Sequence, residues 1–153
     1  MVGLGDVILI TNNERVPADM VVLGASNLDG KCFMETSNLD GEKNLKPREA
    51  VKETFCSCVV EMEGDQVTTV DIDLTLKASF MQPSLFLYEF DGYLQLLDGS
   101  ESDEKSKVRL ESRNLLLKGS RLKSTRWMVG TAVYVLACDL DGHALWANAY
   151  GSG

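Results

Sequence analysis

The chain is 153 residues long, 44% hydrophobic and 25% charged. That is enough to bury one real core, too short for two domains of typical size, and unlike a disordered tail or a membrane bundle in composition. Its 15 Lys+Arg against 23 Asp+Glu leave a formal charge of −8, which argues against a nucleic-acid partner or an anionic-lipid surface, because basic patches carry affinity for both.

In chain order, Met1 to Asp6 lacks the basic n-region and apolar h-region of a secretory signal, so the chain reads as cytosolic. Val7 to Ile10 is a short β-branched run closed by the polar cluster Thr11 to Glu14, the pattern of a buried strand and a tight connection. Met20 to Leu23 is a second strand, with Pro17 at its entry where a missing N–H does least harm. Asp29-Gly30 introduces a third, Lys31 to Glu35, which runs into the polar loop Thr36 to Gly41. From Pro47 to Thr54 a proline in the first turn and good helix formers predict a short helix.

Ser57 to Met62, Val67 to Leu76, Ser84 to Phe90 and Tyr93 to Leu97 are strand-like. Within them Val70 to Leu76 alternates apolar and polar residues, which predicts one wet and one buried face. Asp91-Gly92 has the composition of a two-residue hairpin turn. Asp98 to Lys107 holds no apolar residue and reads as a solvated loop. The apolar pattern resumes at Leu115 to Leu117 and at Trp127 to Ala137. The longest purely apolar stretch, Ala132 to Cys138, is far below the roughly 18 to 20 residues that span a bilayer. Many short strands between Gly, Asp and Asn turns predict a mainly β sandwich or barrel with one or two short helices.

Cys32, Cys56, Cys58 and Cys138 read as reduced thiols, since the chain shows neither a secretory signal nor a dense disulfide framework. Cys56-Ser57-Cys58 has the wrong spacing for a structural zinc site, and His143, the one histidine, is far away in sequence.

The stretch Thr36-Ser37-Asn38-Leu39-Asp40-Gly41-Glu42 stands out because it sets two carboxylates around a glycine directly after a strand. Read by itself, an ordinary surface turn is its simplest account. The segments around it carry more. Gly5-Asp6, Pro17-Ala18-Asp19, Glu35 to Glu42 and Gly119-Ser120-x-Leu122-Lys123-x-Thr125 together closely resemble the actuator domain of P-type ATPases, over about residues 2 to 135. Asp40-Gly41-Glu42 is similar to the Asp-Gly-Glu-Thr of the phospholipid-flippase branch, where ion pumps have Thr-Gly-Glu-Ser. Gln82 to Gly92 resembles that branch's Pro-x-x-x-Leu-Tyr-x-Phe-x-Gly stretch. Lys43 stands where the family has Thr, and Ser124 where it has Asn. Beyond Tyr134 the expected Thr-Gly and Asp-Thr-Lys are replaced.

The resemblance implies a distorted jelly roll or β-sandwich actuator over residues 1–150, part of a larger membrane protein, with Gly151 to Gly153 a linker or an expression remnant. It implies that Glu42 orients and partly deprotonates the water that attacks an aspartyl phosphate, a task suited to a carboxylate within hydrogen-bond reach. Gly41 would let the backbone approach the phosphate without a Cβ clash. Asp40 would shape the turn rather than touch the phosphate, since a second negative charge there is repelled. Thr36, Asn38 and Lys43 would support the loop. The partners so implied are the phosphorylation and nucleotide-binding domains of the same protein, a phospholipid met only through a membrane domain, and an accessory subunit. No cofactor is expected in this domain, while ATP and Mg are implied for the whole pump, at the cytosolic face of a membrane.

Pro17-Ala18-Asp19 reads as structural, with the Asp side chain capping a turn, and Lys118, Arg121 and Lys123 read as a solvated basic face or one turned to the nucleotide-bearing domain. Two rivals remain. Val133 to Gly142 resembles the Asp-x-Asp-Gly start of haloacid-dehalogenase-like phosphatases, but eleven residues after Gly142 are too few for that fold. A non-catalytic β-sandwich interaction module is the other. The absence of a Gly-rich phosphate loop with Lys predicts that the domain alone does not turn over ATP.

Overall fold

The computed structural model describes residues 5–72, 75–80, 91–96, 107–134 and 146–150. In chain order they form β1 (Val7–Thr11), β2 (Asp19–Ala25), β3 (Lys31–Glu35), α1 (Ser37–Asp40), β4 (Lys46–Glu49), α2 (Lys52–Phe55), β5 (Cys58–Glu63), β6 (Gln66–Ile72), β7 (Thr75–Phe80), β8 (Asp91–Leu96), β9 (Lys107–Glu111), a 3₁₀ turn (Ser112–Asn114), β10 (Leu115–Leu116), β11 (Arg121–Lys123), β12 (Trp127–Tyr134) and β13 (Trp146–Tyr150). The strands pair antiparallel in sheets ordered β1-β12-β2-β10, β11-β3-β4, β13-β7-β8-β9 and β5-β6. The fold is mainly β with two one-turn helices, as the turn-punctuated sequence predicts, and no helix among the described residues is long and apolar enough to cross a membrane.

The core centres on β2. Met20, Val21, Val22 and Leu23 are consecutive and fully buried, because β12 and β10 flank the strand and both of its faces are covered. Leu116 and Met128 of the same sheet join them, and Met34, Leu122, Leu94 and Leu110 bring the β11-β3-β4 and β13-β7-β8-β9 sheets onto the same cluster.

Close backbone approach fixes two glycines in this core. A Cβ at Gly24 would lie 2.6 Å from Cys58 Cβ, and one at Gly130 would lie 2.8 Å from the Val21 carbonyl oxygen. Burial pushes the Cys32 thiol up to about 12, with the Arg48 charge opposing, and the Cys58 thiol up to about 11. Both are protonated at neutral pH, free thiols like the exposed Cys56.

Four expectations are corrected. Lys46 to Glu49 is a strand rather than the start of a helix over Pro47 to Thr54, and helix is confined to Lys52–Phe55. Pairing with β3 overrides helix propensity there, and Pro47 is tolerated because β4 is an edge strand. That edge is covered by side chains: Arg48 Nε donates to the Leu115 carbonyl at 2.9 Å, and Asn114 Nδ2 donates to that of Glu49 at 2.9 Å.

Asp91-Gly92 is not a hairpin turn. Both residues lie inside β8, with Asp91 opposite Glu111 and Gly92 opposite Phe80 and Leu110, so partners distant in sequence decide what local composition left open. Val67 to Leu76 is two strands, β6 ending at Ile72 and β7 starting at Thr75. Its predicted buried face is only partly buried, with Val70 46% exposed, since β6 pairs with β5 alone. Thr36 to Gly41 is a loop only at its ends, and Ser37–Asp40 winds into α1. The strand predicted at Ser84 to Phe90, Cys138, nearly all of Asp98 to Lys107 and the stretch from 135 to 145 lie outside the described residues, while Lys107 opens β9.

Asp19 ties together two segments 99 residues apart in sequence. Its Oδ1 accepts the Lys118 N–H at 2.7 Å, closing the 117–120 turn from the start of β2. Burial raises the Asp19 pKa above its ordinary 3.8, against the lowering effect of that hydrogen bond and of the Lys118 charge. A raised folded-state value means that ionised Asp19 costs stability at neutral pH, and that this cost disappears once pH falls below 3.8, where the group is protonated folded and unfolded alike. Asp19→Asn keeps the acceptor and removes the buried charge, so it is expected to match or exceed the wild type in urea at pH 7. Its advantage should shrink as pH falls from the raised folded value toward 3.8. Asp19→Ala is expected to lose about 0.5–1.5 kcal/mol at pH 7 with the orphaned Lys118 N–H. An Asn variant less stable than wild type at every pH refutes this assignment.

Candidate functional site

The Thr36 to Glu42 stretch is mounted on the three-stranded sheet. β3 carries the chain to Glu35 with Met34 fully buried, and β11 and β4 clamp it on either side. At the exit Thr36 is fully buried. Its carbonyl accepts the N–H groups of Leu39 and Asp40 at 2.8 and 3.0 Å, which winds the single turn of α1. Gly41 ends that turn with φ +76°, the left-handed conformation that a glycine adopts without strain. A Cβ at Gly41 would meet nothing within 4 Å, so this point of the loop is open to the approach of another surface.

The two carboxylates face different tasks. Asp40 is folded back: its Oδ1 accepts the Glu42 N–H at 2.9 Å, and Oδ1 and Oδ2 lie 3.0 and 3.1 Å from the Thr36 hydroxyl. Its side chain is 20% exposed, while that of Glu42 is 60% exposed. Lys46 joins them, with Nζ 2.5 Å from Glu42 Oε2 and 3.5 Å from Asp40 Oδ2. Asn38 and Lys43 are exposed, and neither hydrogen-bonds to this cluster among the described residues.

The structure therefore brings Thr36, Asp40, Gly41 and Glu42 together and leaves Asn38 and Lys43 outside the hydrogen-bonded group. It adds Lys46, which sequence reasoning missed. The only hint was its place four residues after Glu42, a spacing that means little away from a helix.

The Gly119 to Thr125 segment braces the site from below. A Cβ at Gly119 would touch Leu39 Cδ2 at 3.4 Å, so α1 rests against the 117–120 turn that Asp19 closes. Ser120 Oγ donates to the Leu117 carbonyl at 2.6 Å, and Thr125 Oγ1 accepts the Phe33 N–H at 3.3 Å and donates to the Lys123 carbonyl at 2.8 Å. Arg121 and Lys123 are tied to Asn13, through its carbonyl and side-chain oxygens at 2.6 and 2.8 Å. These cations hold the β1–β2 turn rather than forming an unattached basic face.

Among the described residues no group of three or more His, Cys, Asp or Glu side chains is placed to hold a metal ion. The Asp-x-Asp-Gly segment of the phosphatase rival lies outside the described residues.

Comparison with known proteins gives a consistent picture. The family model of the P-type ATPase actuator domain matches residues 1–81. Phospholipid-transporting ATPase DNF2 of Saccharomyces cerevisiae is 33% identical over 133 residues, and phospholipid-transporting ATPase 11C of Mus musculus is 35% identical over 133, each covering 87% of this chain. Phospholipid-transporting ATPase VD of Homo sapiens is 36% identical over 153 residues, 99% of the chain. The chain spans only 8%, 11% and 9% of the lengths of these three relatives.

Proposed function

The chain belongs to the P-type ATPase actuator domains, and from that membership we propose that it is the actuator of a phospholipid-translocating pump at the cytosolic face of a membrane. Its Asp-Gly-Glu loop would promote hydrolysis of an aspartyl phosphate carried by another domain of the same protein. The observation that carries this reading is the division of labour in the loop: Asp40 is turned inward as a strut, and Glu42 stands exposed beside a glycine with open surroundings. The phospholipid assignment rests on the Asp-Gly-Glu sequence and on the names of the relatives.

The chemistry asks little of this chain beyond placement. Water attacks the phosphorus, the bond from phosphorus to the aspartate oxygen breaks, and inorganic phosphate leaves while the aspartate is released as a carboxylate. Glu42 orients the water and takes its proton, the work of a general base within hydrogen-bond reach. Gly41 lets the loop backbone come close to the phosphate. Asp40 holds the Glu42 N–H and keeps its own charge away from the phosphate.

ATP and magnesium act elsewhere in such a pump. Among the described residues no cluster is placed to hold a metal ion, and the sequence has no Gly-rich phosphate loop with Lys. The phosphorylation and nucleotide-binding domains would take both, and an accessory subunit and the lipid would meet the pump outside this chain.

The whole protein tests the proposal. Incubated with γ-labelled ATP, it should form a hydroxylamine-sensitive phosphoenzyme whose decay quickens when phospholipid is supplied. A full-length protein that forms no such species overturns the reading. Lys43 is the departure from the family pattern within the loop, and it replaces a short hydroxyl with a long point charge. Lys43→Thr is expected to change phosphoenzyme decay a few-fold while leaving the fold unaltered, since Lys43 is exposed and outside the Asp40 cluster. An unchanged decay rate removes Lys43 from loop timing.

A further inference from the structure

We propose that Lys46 is the positioning residue of the loop, holding Glu42 by one carboxylate oxygen and offsetting the negative charge that the loop brings to the phosphate. The inference rests on the reading of Glu42 given above and adds to it a residue that the Asp-Gly-Glu motif does not contain.

Three observations carry it. Lys46 is the first residue of β4 and lies opposite Met34 of β3, which is fully buried, so its backbone is anchored in the sheet while Glu42 sits in the connection before it. Its ammonium bridges both carboxylates, 2.5 Å from Glu42 Oε2 and 3.5 Å from Asp40 Oδ2, and its side chain is only 19% exposed. Finally, the contact is made through Oε2 alone, and Glu42 Oε1 has no hydrogen-bond partner among the described residues, which leaves that oxygen free for a water.

The geometry gives Lys46 two effects. Orientation is the first: a carboxylate on an exposed stem samples several rotamers, and an anchored ammonium selects among them. Charge is the second. Glu42 carries a negative charge toward an anionic phosphate, and Lys46 offsets it at hydrogen-bond range, where its field is strongest. Lys43 supplies the same charge from an exposed stem with no such anchorage.

The test uses the full-length pump, phosphorylated from ATP and then chased. Lys46→Met is expected to slow phosphoenzyme decay by on the order of 10- to 100-fold, the cost typical of a displaced reacting group. Lys46→Arg, which keeps charge and reach, should restore most of the rate. In a Glu42→Gln background, Lys46→Met should add almost nothing, because a residue that acts through Glu42 has nothing left to position. A merely structural Lys46 would slow both backgrounds equally, and that result overturns the proposal. So does wild-type decay in Lys46→Met, or an Arg variant as slow as the Met variant. If Lys46→Met does not accumulate, the Arg variant and the Glu42→Gln/Lys46→Arg pair carry the same comparison, with an Arg variant that decays at wild-type rate supporting the proposal. Wild-type decay in Glu42→Gln alone instead sinks the function proposed for the loop, and this inference with it.

Discussion

Glu42→Gln in the full-length pump is expected to trap the phosphorylated state, slowing its hydrolysis by about 10²- to 10⁴-fold, the range that a positioned general base contributes. Gln keeps the size of the side chain and an oxygen that can still accept from Lys46, but it cannot take a proton from water. Its exposed position means that the fold does not depend on its charge. The thermal midpoint of the variant should therefore stay with that of the wild type, as for surface substitutions in general, which fall within about 0.5 kcal/mol. Phosphoenzyme decay after an ATP chase, measured beside a melting curve, separates the two quantities. Rapid hydrolysis by the Gln variant would remove Glu42 from the reaction.

The second large effect lies in the core. Gly130→Ala is expected to destabilise the chain by about 1–3 kcal/mol, the usual cost of forcing extra volume into a packed interior. For a protein of this size that is a fall of roughly 3–10 °C in melting temperature. The reason is what the new methyl would meet: the Met20 and Met128 Cε atoms at 2.8 and 3.0 Å and the Val21 carbonyl oxygen at 2.8 Å. The methionine ends can swing aside. The carbonyl cannot, because it belongs to β2, which β12 and β10 hold on both sides. Gly130 also sits where the β12–β2 register shifts, between Val129 and Gly130, a local irregularity at which a strand bends. Gly64→Ala is the control: its Cβ would meet nothing within 4 Å, and its φ of +61° alone sets the cost, about 1–2 kcal/mol. A smaller loss at Gly130 than at Gly64 would show that β2 yields more easily than its pairing indicates.

The parts of this fold that were legible in the sequence are those whose cause is local. β1, β2 and β3 follow from short apolar runs and the turn residues between them, and the bend at Gly30 from Asp29-Gly30, with φ +75°. The loop residues Thr36, Asp40, Gly41 and Glu42 were legible as a motif, and the Asp40 turn follows from the tendency of Asp to accept N–H groups two residues on. What remained hidden has its cause far along the chain. β4 exists because β3 offers it an edge and because Arg48 and Asn114 reach across more than sixty residues. Asp91-Gly92 is strand because of β9 and β7. Lys46 stayed unremarked because its importance depends on a strand register that propensity argued against.

The bracing of α1 also bears on how force would pass through the domain. Thr36 is rooted in the core, Asp40 is locked to it, Lys46 grips from β4, and Leu39 lies on the turn that Asp19 fastens to β2. A segment held at so many points has little freedom to swing by itself. Its position is then fixed to the β11-β3-β4 sheet that carries it, so in the reading proposed above the loop reaches a phosphate together with that sheet and not as a separate arm.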